Sequence, residues 1–516
     1  MMKKHALLLG LSLALALMLC ACDSGTPSTE PAADPSATDS GPRTDLNLSS
    51  TEAVETLDPH YTARSADRAV EFQIYEPLYL IDDDSSEIPL LATDYSVSED
   101  GLTYTFNLRQ GVLFHNGEEL KASDVVFTVE RCREAPRMYA YVEPIASVEA
   151  ADDYTVVITL SYEYAPFIQY IGALQIVNEK FVTEVGDDAL ATQTCCTGPY
   201  MLNEFVQAQS VSITAFPDYW QGEASIKDID WKIITDTSTT LVAFEAGELD
   251  YISVPSANWP DIEASGLYNT ELLASNHVTY LILNHTVEPF NNKLVRQAIS
   301  HAINRDDMCL MALDGLATPA YTLAHPDRVF GATDDCTTFE YDPEAAMDLL
   351  AQAGYPDGFN AGVIKTIGSY FQKVAQVAQS NLLAVGIQCD IEMAETSAYV
   401  TDCTNGNFGI AVMGSSMGND FAMFDMLYAS QYIDSNNYAR YSNPEVDDLF
   451  AQGVATVNPD ERLAIYSQLI EIVQDDAVYV PIFFRQSPVA YDKNLNTKFY
   501  EASGLSTALY YEWSWS

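Results

Sequence analysis

Hydrophobic and polar positions change rhythm several times along the chain. Ala6 to Leu19 is an almost unbroken run of Leu, Ala and Met, whereas residues 23–44 hold Ser, Thr, Pro, Asp and Ala with hardly a large apolar side chain. Past residue 45 strand and helix signals follow one another to the C-terminus. In LTYTFNL (102–108), Tyr104, Phe106 and Leu108 alternate with polar neighbours, which predicts a half-buried strand, and Asn116-Gly117 predicts a turn beyond it. ASDVVFTVERC (122–132) places Val125, Val126 and Val129 on one helical face, with Ser123 or Asp124 as the cap. DYTVVITLS (153–161) predicts a further strand. Asp342 caps a helix that opens on Pro343 and ends before Gly354, with Ala346, Met347, Leu350 and Ala353 as its apolar stripe. NKLVRQAISHAINR (292–305) and DERLAIYSQLIEIVQ (460–474) repeat the helical spacing, so the chain reads as mixed α/β.

The apolar run at the start is shorter than the roughly 20 residues that span a bilayer, and Lys3 and Lys4 precede it. It predicts a signal segment over 1–21. Leu19-Cys20-Ala21-Cys22 resembles the bacterial lipobox, which implies cleavage after Ala21 and a lipid on Cys22. Acyl chains hold a protein at a bilayer by burying their CH₂ groups, at about 0.8 kcal/mol each. Residues 22–45 lack the apolar side chains needed to offset the entropy of ordering and are expected to form a disordered tether. The expected location is extracytoplasmic, anchored by lipid to the outer face of the bacterial cell membrane.

Charge narrows the function further. Lys+Arg number 24 against 74 Asp+Glu, a net −50, and a surface so acidic repels phosphate backbones, so nucleic acid is not the partner. Seven cysteines follow Cys22, an odd number, so at least one is unpaired, and sequence leaves their pairing open. Neither His-Glu-x-x-His nor Cys-x-x-Cys occurs, and no metal or cofactor is expected. Gly414-Ser415-Ser416-Met417-Gly418 satisfies G-x-S-x-G after an apolar run, the context of a nucleophile elbow on Ser416. In that fold the histidine follows the serine, yet the last histidine is His325, so a tethered serine hydrolase is the lesser alternative.

Several stretches resemble the family 5 solute-binding proteins of ABC importers, the receptors for oligopeptides, dipeptides and nickel complexes. TLDPH (56–60) and IYEPLY (74–79) open the match. IPLLATDYSVSEDGLTYTFNLRQGVLFHNGEELKASDVVFTVER (88–131), CTGPYMLNEF (196–205), DYWQG (218–222) and LVAFEAGELDY (241–251) continue it. FNNKLVRQAISHAINRDDM (290–308), YDPEAAMDLLAQAGYPDGF (341–359) and YSNPEVDDLF (441–450) complete it in family order. The resemblance implies a two-lobe, type II periplasmic-binding-protein-like α/β fold with an inserted subdomain and a hinge of two crossing segments. Lobe 1 is expected over 46–78, 190–282 and 486–516, the inserted subdomain over 79–189, and lobe 2 over 283–485. It further implies a monomer without catalytic residues that closes on a solute and delivers it to ABC permease and ATPase subunits.

Dipeptide receptors of this family hold the ligand's amine with an Asp and its carboxylate with an Arg. By alignment Met417 stands where that Asp is expected, with Asp420 three places on, and Gly368 or Ser369 replaces the Arg. Both departures favour an oligopeptide, held mainly through backbone hydrogen bonds as an added strand is. Asp420 is then the candidate for the amine, and Gly414, Ser415, Met417, Tyr370, Tyr399 and Arg485 are the other candidate ligand-binding residues. A nickel chelate or another non-peptide solute is the alternative within the family.

Overall fold

In the computed structural model the described residues are 43–500 and 507–516, apart from 63, 83–85, 136 and 173. The expected signal segment, Cys22 and all of the tether up to residue 42 lie outside them. No described helix is long and apolar enough to cross a membrane.

Three sheets organise the chain. The first has the order Asp45–Ser50, Asp228–Ile233, Ser210–Ala215 and Tyr200–Val206, the first pair parallel and the rest antiparallel. Its inward positions are Leu46, Leu48, Val211, Ile213, Ile229 and Trp231, all buried on alternate residues, as the period of two requires. The second is an antiparallel sheet of Ala92–Val97, Thr103–Leu108, Thr155–Leu160 and Ile145–Asp152. Tyr104, Phe106 and Leu108 are buried there as their alternation predicts, beneath the helix Ala122–Glu134. A fully buried Phe106 contributes about 1.5–3 kcal/mol from its removed apolar surface. That helix begins two or three residues earlier than its cap signal suggests. Lys121 is the capping position, and Asp124 reaches back to accept from the Lys121 amide at 2.9 Å.

The third sheet has seven strands: Tyr251–Ser253, Tyr479–Tyr491, Asn269–Leu283, Ile410–Ser416, Phe359–Thr366 and Ile387–Met393 in order, with Ala317–Pro319 beside Tyr479–Tyr491. The helices Lys293–Ala302, Pro343–Gln352 and Gly368–Ala384 cover it. Asp342 caps the second of these as expected, accepting from the amides of Glu344 and Ala345.

The two longest strands, Asn269–Leu283 and Tyr479–Tyr491, run antiparallel and serve several separate cores. Tyr491 packs with the first sheet, whereas Tyr280, Leu281, Phe483 and Phe484 pack into the cores on either side of the third. Their register breaks between Ala274 and Val278. Two adjacent strands with an irregularity between two cores are a mechanical connection on which the halves can turn.

The turn at Thr197-Gly198-Pro199-Tyr200 is architectural. Gly198 donates its amide to the Ile74 carbonyl at 3.0 Å, and a Cβ there would sit 2.6 Å from that carbonyl. All seven cysteines after Cys22 lie among the described residues, and all are free.

Candidate functional site

Register builds the site at the crossing. His277 is paired with Ser416, Val278 with Ser415 and Thr279 with Gly414 across neighbouring strands, so each pair shares a face. His277 Nδ1 lies 3.2 Å from Ser416 Oγ, and Tyr280 shares a 2.7 Å hydrogen bond with Ser415 Oγ. A Cβ at Gly414 would overlap His277 Nε2 and crowd Phe371, so only glycine lets the imidazole lie flat here. Thr279 Oγ1 meets the Tyr370 hydroxyl at 2.7 Å, at the first turn of the helix Gly368–Ala384. The Arg485 guanidinium lies over the Tyr370 ring, 5.0 Å from its centroid.

Electrostatics at this spot are one-sided. Arg485 is exposed and forms no ion pair among the described residues, in a chain where acids outnumber bases threefold. Burial, and next the Arg485 charge, push the His277 imidazole down to about 4, so it is neutral near pH 7. His277 Nε2 has no hydrogen-bond partner among the described residues, so no carboxylate orients the ring. The order argument against a base for Ser416 is corrected here, since tertiary pairing brings His277 to it. The pair still lacks the third member that makes such a serine a nucleophile.

Two expected ligand residues serve the core instead. Asp420 is fully buried. Its Oδ1 accepts from Arg462 at 2.6 Å and from the Ala422 amide at 2.8 Å, capping the short 3-10 turn Phe421–Phe424. Having no exposed surface and pairing already with a guanidinium, this carboxylate is poorly placed for the expected contact with a ligand amine, although its Oδ2 has no hydrogen-bond partner among the described residues. Tyr399 is likewise buried, donating its hydroxyl to the Val412 carbonyl at 2.5 Å. Met417 packs half-buried against the lobe-2 core. The structure thus gathers Gly414, Ser415, Tyr370 and Arg485 around the crossing and sets Asp420 and Tyr399 apart.

A second set of polar groups comes from the first half of the chain. Arg68, Glu71, Arg137, Tyr141 and Gln175 line a small pocket. Glu71 Oε1 and Gln175 Oε1 are buried there without a hydrogen-bond partner among the described residues. Burial raises the Glu71 carboxyl well above the usual range. Beside them the ring of Tyr61 lies under Arg131, which Asp58 grips at 2.6 Å and 3.0 Å. The Ala165 amide donates to the Val454 carbonyl at 2.7 Å, so the second sheet's subdomain touches the third sheet's lobe.

Sequence reasoning missed His277, Thr279, Arg68, Glu71 and Gln175. Each sits in an ordinary strand, helix or loop pattern with no motif around it, and only TLDPH and Gly-Ser-rich 414–418 flagged nearby chain. Among the described residues no group of three or more His, Cys, Asp or Glu side chains is close enough to hold a metal ion.

The family profile "Bacterial extracellular solute-binding proteins, family 5 Middle" matches residues 87–436. The glutathione-binding protein GsiB of Salmonella paratyphi A is 31% identical over 458 residues, covering 85% of this chain and 89% of that protein. GsiB of Escherichia coli O1:K1 is 31% identical over 463 residues, with the same coverage of both chains. Among solved structures, DppA of Helicobacter pylori in complex with the peptide STSA has a TM-score of 0.75 at 27% identity over 92% of this chain and 98% of that one. The substrate-binding protein CtaP of Listeria monocytogenes has a TM-score of 0.84 at 24% identity over 92% of this chain and 100% of that one, a likeness of fold. On the profile match, the coverage of GsiB and the shared two-lobe architecture, the chain belongs to the bacterial extracellular solute-binding proteins of family 5.

Proposed function

We propose that this protein is the cargo receptor of an ABC importer, moored outside the cell membrane by lipid on Cys22, that closes around a short peptide. It does no chemistry on the peptide and passes it to a membrane permease driven by an ATPase. Lobe 1 with its inserted subdomain forms one jaw, and the residues between the crossing strands form the other.

The observation that carries this reading is Arg485. An exposed guanidinium without a carboxylate, stacked on Tyr370 at the first turn of Gly368–Ala384, suits the carboxylate end of a peptide. The resemblance puts the carboxylate-holding Arg of dipeptide receptors at the start of this helix, where Gly368 or Ser369 stands here. Arg485 supplies the same charge from the neighbouring strand. The peptide named with the H. pylori structure and the glutathione named for GsiB are both short, carboxylate-ended chains, in keeping with this choice.

Mass spectrometry of small molecules released from the purified, denatured protein tests it. Short peptides are expected, and the same peptides should raise the thermal midpoint and reduce the radius of gyration in solution scattering. Release of non-peptide solutes alone, with no stabilisation by peptides, would reject the reading.

A further inference from the structure

A cavity of about 660 Å³ lies between the inserted subdomain and lobe 2, near the Ala165–Val454 contact. Its size falls within the roughly 300–1,000 Å³ of small-molecule sites. One wall is aromatic: Tyr139, Tyr162, Tyr164 and Tyr170 line it. Tyr164 meets Tyr170 edge-on at 5.2 Å and Tyr162 at 6.0 Å, so ring faces and edges enclose the space from several directions. The facing wall carries Asp425, and no lysine, arginine or histidine among the described residues lines the cavity.

The three carboxylates at the cavity are not equivalent. Glu143 accepts the Tyr162 hydroxyl at 2.6 Å, and Asp447 is held by the Ser430 amide at 2.8 Å and hydroxyl at 2.5 Å. Asp425 accepts only one long side-chain bond, 3.3 Å from the Tyr432 hydroxyl. An under-committed acid facing tyrosine rings is the arrangement that attracts an ammonium or guanidinium group. Tyr170 also packs 5.2 Å from Tyr141, which lines the pocket of Arg68 and Gln175, so the two spaces are neighbours.

We propose that this cavity is a specificity subsite for a cationic group of the cargo, a lysine or arginine side chain held between the tyrosine rings and Asp425. The inference rests on the peptide reading above and adds the charge class of the peptide. Burial pushes the Asp425 carboxyl up to about 6, which leaves it mostly ionised near pH 7 and ready for a counter-ion.

Calorimetric titration of the full mature chain with two synthetic tetrapeptide pools tests it. The pools are identical except that one carries lysine where the other carries norleucine. The wild type is expected to bind the lysine pool about tenfold tighter. Asp425→Asn should bring the two pools within about twofold, and Tyr164→Leu should do the same. Equal binding of both pools by the wild type, or a lysine preference that survives in both variants, overturns the subsite. If both pools bind equally and both are lost in Arg485→Ala, peptide capture stands and the subsite alone falls. If neither pool binds the wild type, both readings fall together.

Discussion

The guanidinium of Arg485 lies 5.0 Å from the ring centroid of Tyr370, joining a strand at the end of the chain to a helix more than a hundred residues earlier. No carboxylate among the described residues neutralises it, so the charge is available to a ligand. Arg485→Ala is expected to weaken peptide binding about 10- to 100-fold, the value of a charge-assisted hydrogen bond at roughly 1.5–3 kcal/mol. Unliganded stability should change little, because the side chain is exposed. Calorimetry on both proteins checks this, and an affinity within twofold of wild type would remove Arg485 from the site.

Asp420 and Arg462 form a buried ion pair at 2.6 Å. Removing one member of such a pair leaves the other charged and unmatched, at a cost of about 3–5 kcal/mol. Asp420→Ala should therefore lower the urea midpoint of unfolding markedly. Peptide affinity of the molecules still folded should stay within about threefold of wild type. Intact stability with lost binding would restore Asp420 as a ligand for the amine.

His60 is fully buried, its Nε2 2.9 Å from the Gln175 carbonyl and its Nδ1 2.6 Å from Arg131. Burial, then the Arg131 charge, lowers its imidazole from 6.5 to about 4. The unfolded chain takes up this proton near pH 6.5 and the folded chain only near 4. The stability contributed by a neutral His60 is thus complete above pH 6.5 and lost as pH falls toward 4, in total roughly 3 kcal/mol. His277 has the same sign, whereas Glu76, raised by burial to about 7, has the opposite one. The comparison with His60→Gln isolates the effect. Wild type should lose thermal stability relative to the variant between pH 6.5 and 4.5, and a constant gap would contradict a depressed His60.

Ser416 and His277 stand 3.2 Å apart, two parts of an acyl-transfer site without the third. An imidazole held near 4 is a weak base, and its free nitrogen has no carboxylate to orient it. The protein is expected to hydrolyse p-nitrophenyl acetate no faster than Ser416→Ala does. A serine-dependent rate would revive the hydrolase reading.

Local signals were read well because local physics set them. The alternation of Tyr104, Phe106 and Leu108 became a buried strand face, and Asp342-Pro343 became a helix start with the expected cap. The Asp124 signal misplaced its helix cap by a few residues, since a side chain can satisfy an amide from inside the first turn as well as from the capping position. The site was less legible. Asp420 looked like a ligand residue by its place after the motif, and nothing in the sequence near 420 announces Arg462.

By itself the sequence determined the class of fold, several of its strands and helices and the family likeness, because these depend on periodicity and on residues close along the chain. Only the tertiary structure decided which charges are taken and which are open. Pairing of distant strands puts His277 beside Ser416 and Arg485 over Tyr370, and packing of distant helices closes Arg462 over Asp420. Whether a carboxylate or a guanidinium can meet a ligand depends on its solvation and its neighbours in space, and a linear order of residues does not contain either.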